Sequence, residues 1–199
     1  MTKAIGPWRQ HSCDTVYENP WLRLEHHRVT TPANTDGIYG KVCFKNIAVG
    51  VVPLDDEGFT YLVGQHRYPL DCYSWEIPEG GALLGTSPAQ TARRELAEET
   101  GLRCAALYHF GHLHTSNSCT DEAAEMFLAL DLTPGESAPE DTEDLRVRRL
   151  PLGEAVAMAM SGEITDALSV TALLKLRLLL DQCCGDLHAV IGAMKACAE

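Results

Sequence analysis

The sequence has no uninterrupted apolar run near the ~18 residues that a membrane-crossing helix requires. It carries eight cysteines but no pair spaced as CxxC. Cys183 and Cys184 are adjacent, and Cys13, Cys43, Cys72, Cys104, Cys119 and Cys197 are scattered. That spacing argues against a zinc ribbon and against a compact disulfide framework. Residues 1–10 lack a long apolar stretch behind their charges, so no secretory signal is expected. Basic residues are few, 16 Lys and Arg against 28 Asp and Glu, for a formal net charge of −12. Phosphate backbones demand clustered cations, so a nucleic-acid partner is not expected, and with no long apolar run neither is a membrane. A small phosphorylated ligand stays open, because a bound cation reverses the local sign of the field. These absences predict a reduced, cytoplasmic protein. A length of 199 residues suits one domain with a small appendage.

What is present reads as strands, a helix, more strands, then helices. Residues 21–26 alternate like a strand, and residues 31–37 read as a turn. Further strands are predicted at 41–44, 46–53, 59–63 and 73–77, with Asp55, Asp56, Glu57 and Gly58 as a hairpin turn. Residues 80–85 read as a glycine-rich loop with no strand or helix period. A helix then begins at Ser87 as N-cap, with Pro88 at the first position and Gln90 completing a capping box, and ends at Gly101. Strands follow near 105–113 and 124–130, an acidic loop at 131–144, an extended segment at 146–150, and helices at 153–160 and 165–180. Residues 185–199 fit either a short helix or no regular structure. The order predicts an α+β or α/β/α sandwich with a mixed sheet. It is divided as an N-terminal β segment (1–40), a main domain (41–182) and a C-terminal tail (183–199).

The helix at 87–101 carries the chemistry. Glu95, Glu98 and Glu99 stand at i, i+3 and i+4, so one face presents three carboxylates. Like charges at that spacing repel. Arg93 and Arg94 offer part of the compensation, and a hard divalent cation with oxygen ligands would offer more. Alone, such a face is more often a solvated acidic surface. The glycines just before the helix change the balance, because they let backbone approach a ligand closely.

Residues 80–102 resemble the Nudix box, G-x5-E-x7-R-E-U-x-E-E-x-G-U. Gly80, Arg94, Glu95, Leu96, Glu98, Glu99, Gly101 and Leu102 fall on its positions, and Thr86 stands where the box has a glutamate. The resemblance implies a metal-dependent hydrolase, with Glu95 and Glu99 as metal ligands, Glu98 as a further ligand or water orienter, and Glu79 donating its backbone carbonyl. The implied metal is Mg²⁺, with Mn²⁺ as the alternative.

Flanking residues are similar to the ADP-ribose and ADP-sugar pyrophosphatase subfamily. They comprise Gln65-His66-Arg67-Tyr68, Glu76-Ile77-Pro78-Glu79-Gly80, Ser116 to Glu122, the run from Glu140 to Val147, and Gly162 to Ala167. This implies substrate contacts from Arg67, Glu76 and Glu122. It also implies a catalytic acid on the acidic loop: Glu143, with Glu140 and Asp141 as rivals. By residue type, His112 and His114 could accept protons, but they read better as ordinary strand residues. The implied reaction cleaves ADP-ribose or an ADP-sugar to AMP and a sugar phosphate, in a homodimer paired through the N-terminal segment. The rivals are another nucleotide substrate and a non-catalytic ligand sensor. Thr86 favours the sensor; the retained glutamates oppose it.

Overall fold

The computed structural model describes residues 2–138 and 144–196. The N-terminal part is an antiparallel sheet of order β1-β2-β3-β4, formed by Lys3–Ile5, Trp8–Glu18, Leu22–Thr30 and Asp36–Phe44. The predicted turn joins the last two strands: the Thr31 N–H donates to the Thr35 carbonyl at 2.8 Å, and Asn34 takes a left-handed φ of 59°. β1 and β2 carry no periodic signal in the sequence. Most of β2 is exposed, so no apolar stripe marks it.

A mixed sheet of order β8-β5-β10-β9 forms the centre. Its strands are β5 (Asn46–Pro53), β8 (Glu79–Leu83), β9 (Leu102–His114) and β10 (Ala123–Pro134). β5 and β10 run parallel, and the other pairs are antiparallel. β5 is buried on both faces, which is why residues 46–53 read as a run of apolar residues rather than an alternation. Val49 and Val51 pack with Ala92 and Leu96 of α1 (Pro88–Thr100). Val52 joins a second core with residues of α2 (Leu152–Ser161), α3 (Ala167–Gln182) and α4 (Leu187–Ala196). A three-stranded antiparallel sheet, order β11-β6-β7, comprises β6 (Phe59–Arg67), β7 (Cys72–Glu76) and β11 (Arg146–Pro151). Ile77 and Pro78 carry the chain from this sheet to the central one, where the Pro78 carbonyl accepts from the Val51 N–H at 2.9 Å. The predicted sandwich with a mixed sheet is the architecture observed.

Two local expectations need correction. Residues 79–83 are not a loop but the strand β8, with Gly80 opposite Val49 and Gly81 opposite Ala48. Glycine has weak strand propensity, and here pairing with β5 overrides it. The capping box is also absent. Ser87 is the N-cap, but its side chain makes no capping bond. The Gln90 N–H that a box would use donates instead to the Ser87 backbone carbonyl at 3.1 Å. The helix end is as expected, with Gly101 left-handed at φ 71° and its N–H on the Ala97 carbonyl at 3.0 Å. α3 starts two residues later than expected because Asp166 caps it, accepting from the Ser169 N–H at 2.6 Å.

Among the described residues no helix is long and apolar enough to cross a membrane. The C-terminal segment, which fits either a short helix or no regular structure by sequence, contains α4. The Asp186 carboxylate accepts from the His188 and Ala189 N–H groups, and Val190 and Met194 are buried at 0% and 3% exposure. Met194→Ala is therefore expected to cost about 2–5 kcal/mol through lost contacts and a cavity. Urea unfolding would measure this, and an unchanged midpoint would show that α4 adds nothing to the core.

Candidate active site

Packing of α1 sets the site. Ala92 and Leu96 hold the helix on the central sheet. Glu95 and Glu99 are thereby turned inward against β8, at 8% and 2% exposure, while Glu98 stays half-buried. The Glu99 Oε2 accepts from the Glu79 N–H at 3.0 Å. A Cβ on Gly80 would sit 1.9 Å from the Glu95 Oε1, so only glycine lets strand and carboxylate share this space. Arg94 reaches both Glu95 and Glu98, each at 2.5 Å. Arg93, expected to share that role, does not: it donates to the Cys104 carbonyl at 2.6 Å, because its place on the helix turns it towards β9.

A second group of charges meets this one from β6 and β7. The Arg67 Nε donates to both Glu76 oxygens, at 2.9 and 3.1 Å, and its Nη2 lies 3.2 Å from the Glu79 Oε1. Burial alone would raise the Glu76 pKa; hydrogen bonds and charge from Arg67 outweigh it and hold the carboxyl below its usual range. Glu79 goes the other way. Burial, with the Asp166 and Glu76 charges beside it, pushes it well above the usual carboxylate range. Its Oε2 is buried without a hydrogen-bond partner.

Two cavities share Arg67 and Glu79. One, about 340 Å³, is lined also by Trp21, Lys45, Asn46, Gly80, Arg94 and Glu95. The other, about 430 Å³, reaches Ser74, Glu76, Thr165 and Asp166. A larger cavity of about 530 Å³ on the N-terminal sheet shares no lining residue with either. The carboxylates identify the site here, not cavity size.

Six of the predicted residues thus come together: Arg67, Glu76, Glu79, Glu95, Glu98 and Glu99. Glu122 lines neither cavity; its carboxylate accepts from the Thr115 hydroxyl. Its loop lies against the N-terminal sheet, where the Val42 N–H donates to the Cys119 carbonyl at 2.9 Å. Glu140, Asp141 and Glu143 lie outside the described residues. His112 sits on β9 with its Nδ1 3.0 Å from Glu125. Thr86, the departure from the box, is exposed, and its hydroxyl donates to the Leu83 carbonyl at 2.7 Å, closing the turn into α1 locally.

Trp21, Lys45, Asn46 and Asp166 were not foreseen as lining residues. The first three come from chain far from the helix, and no spacing rule links them to it. Asp166 did carry a signal, since it lies in the Gly162 to Ala167 motif and caps α3.

The donor set suits a hard divalent cation. Its donors are oxygens: Glu95 and Glu99 turn inward against β8, Gly80 leaves room there for the Glu95 carboxylate, and the Glu79 Oε2 is a buried acceptor without a partner.

A sequence profile described as NUDIX domain matches residues 44–169, and one described as nucleoside diphosphate sugar hydrolase N-terminal domain matches residues 8–42. An ADP-ribose pyrophosphatase of Bacillus subtilis (strain 168) is 37% identical over 133 residues, covering 66% of this chain and 72% of that protein. A second, from Mycobacterium tuberculosis (strain ATCC 25618 / H37Rv), is 28% identical over 167 residues, covering 82% and 80%. The crystal structure of an ADP compounds hydrolase has a TM-score of 0.79 at 24% identity, covering 90% of this chain and 97% of that one, a likeness of fold. With the NUDIX profile spanning well over half of the sequence and containing the carboxylate helix, the chain belongs to the NUDIX family of hydrolases.

Proposed function

We propose that this enzyme hydrolyses the diphosphate of ADP-ribose or an ADP-sugar, releasing AMP and a sugar phosphate. One observation carries the reading: Glu95 and Glu99 of α1 turn inward against β8, and Arg67, ion-paired with Glu79 of that strand, lines the same cavity as Glu95. The similar ADP-ribose pyrophosphatases support the choice of substrate.

Glu95, Glu99 and Glu98, with the Glu79 backbone carbonyl, would hold Mg²⁺, or Mn²⁺ in its place. When bound, the metal neutralises phosphate oxygens and makes water a better nucleophile. The chain's own residues do the rest. Arg67 offers a planar fork to phosphate or carboxylate. Glu76 fixes that fork through both oxygens. Arg94 limits repulsion between Glu95 and Glu98. A carboxylate of the acidic loop, Glu143 or its rivals Glu140 and Asp141, is proposed as base, and Glu122 as a substrate contact reached from its loop.

Trp21, 68% exposed at the cavity mouth, is a platform on which a base can stack. Trp21→Ala is expected to raise KM by about tenfold with kcat little changed, since stacking on an aromatic is worth about 1–3 kcal/mol per base. Steady-state kinetics would decide, and a loss confined to kcat would refute the platform role.

The free cysteines among the described residues fit a reducing cytoplasm. The N-terminal sheet, with Ile38 71% exposed, fits pairing with a second copy.

The direct test is to incubate the purified chain with ADP-ribose, ADP-sugars and other nucleoside diphosphate compounds, with Mg²⁺ or Mn²⁺, and to quantify AMP. Turnover of a different member of the panel would move the substrate assignment. No turnover of any member would favour a ligand sensor.

A further inference from the structure

The N-terminal sheet carries a second cluster of donor atoms that phosphate chemistry does not use. Cys13 on β2 stands opposite His27 on β3 in the strand register, and Glu25 lies two residues along β3 on the same face. One donor atom from each residue, thiol, carboxylate oxygen and ring nitrogen, lies within 4.8 Å of the others. A tetrahedral ion with bonds of ~2.0–2.3 Å separates its donors by roughly 3.3–3.8 Å, so small rotamer changes bring all three to one ion.

The surroundings already orient these groups. The Glu25 Oε1 is 2.7 Å from the Arg23 Nη2, while its Oε2 is 3.0 Å from the His27 Nε2. One oxygen is therefore engaged outward and the other is aimed at the cluster. His27 is 8% exposed, which fixes its ring. Cys43 on β4 is buried and stands opposite Arg23 in register. Cys13, Glu25 and His27 all line the 530 Å³ cavity, so a fourth position faces solvent.

We propose that Cys13, Glu25 and His27 form a zinc site on the N-terminal sheet, separate from the catalytic carboxylates. The residue types separate the two sites. Sulfur and imidazole favour Zn²⁺, whereas the oxygen-only set on α1 suits Mg²⁺. On binding, the Cys13 thiol gives its proton to solvent; thiolate and Glu25 carboxylate then balance the two positive charges. The ion would pin β2 to β3, where β2 is mostly exposed and holds few buried apolar residues.

The test uses the full chain, stripped of metal and kept in excess Mg²⁺ so that the oxygen-rich site is filled. Cobalt(II) is added, then Zn²⁺. The expected result is one equivalent of cobalt with a thiolate-to-metal charge-transfer band, displaced by Zn²⁺. The band should survive Glu99→Gln and disappear in Cys13→Ser, a change at an exposed position that leaves the core intact. His27→Gln should weaken Zn²⁺ binding by at least about tenfold. Circular dichroism would establish that both variants fold. Absence of the band, its persistence in Cys13→Ser, or its loss in Glu99→Gln would overturn the proposal.

Discussion

Glu99→Gln is expected to slow turnover by about 10³-fold or more while the protein stays folded. Loss of one anionic ligand removes several kcal/mol of charge stabilisation from the transition state, and about 4 kcal/mol converts to about 10³ in rate. The fold survives because the amide oxygen can still accept from the Glu79 N–H, the bond that Glu99 makes at 3.0 Å. Glu99 is 2% exposed, and glutamine matches its shape, so the substitution opens no cavity. Rates measured across a range of Mg²⁺ concentrations, with a thermal melt in parallel, would separate the two effects. A variant that keeps most of its rate at saturating metal would remove Glu99 from the reaction.

Arg67→Ala should be the most destabilising change at the site, by about 2–4 kcal/mol. Removing one partner of a buried ion pair typically costs about 3–5 kcal/mol, because the other charge is left uncompensated. The expected value is lower here because the Arg67 side chain is 35% exposed and water can partly replace it. Glu76, however, is 4% exposed at its side chain and loses its bidentate partner, while Glu79 loses its cation as well. Arg67→Lys should recover part of the stability, since it restores charge but not the planar fork. Pairing Arg67→Ala with Glu76→Gln should recover more, by removing the uncompensated charge. Equilibrium unfolding of these proteins, with the Glu76→Gln single variant to complete the cycle, would show the pattern. Additive losses in the double variant would mean that the pair is not coupled. Activity should fall in every Arg67 variant, because the same guanidinium faces the cavities.

Much of the site was legible in sequence because its central part is local. Glu95, Glu98 and Glu99 lie within two turns of one helix, and helical geometry alone puts them on one face. Gly101 ends that helix by a backbone rule that needs no partner. The apolar run at 46–53 gave away a strand buried on both sides. Non-local features escaped. Gly80 and Gly81 have poor strand propensity and form β8 only because β5 pairs with them. Arg93 and Arg94 are neighbours of the same type, and only the packing of α1 sends one to Cys104 and the other to the glutamates. Residues 187–196 have too short an apolar pattern to declare a helix, yet Val190 and Met194 complete the second core.

The sequence by itself determined the carboxylate helix and the broad succession of strands, helix, strands and helices that makes a sandwich, because these follow from spacing and periodicity along the chain. Tertiary structure alone decided which charges meet. It set Arg67 between Glu76 and Glu79, put Trp21 and Asp166 on the cavities, and drew Glu122 to Thr115. It also brought Cys13 beside Glu25 and His27, which no cysteine spacing announced. The physical reason is the same in each case. Contacts across strands depend on register, and register is set by pairing with residues far away in the chain.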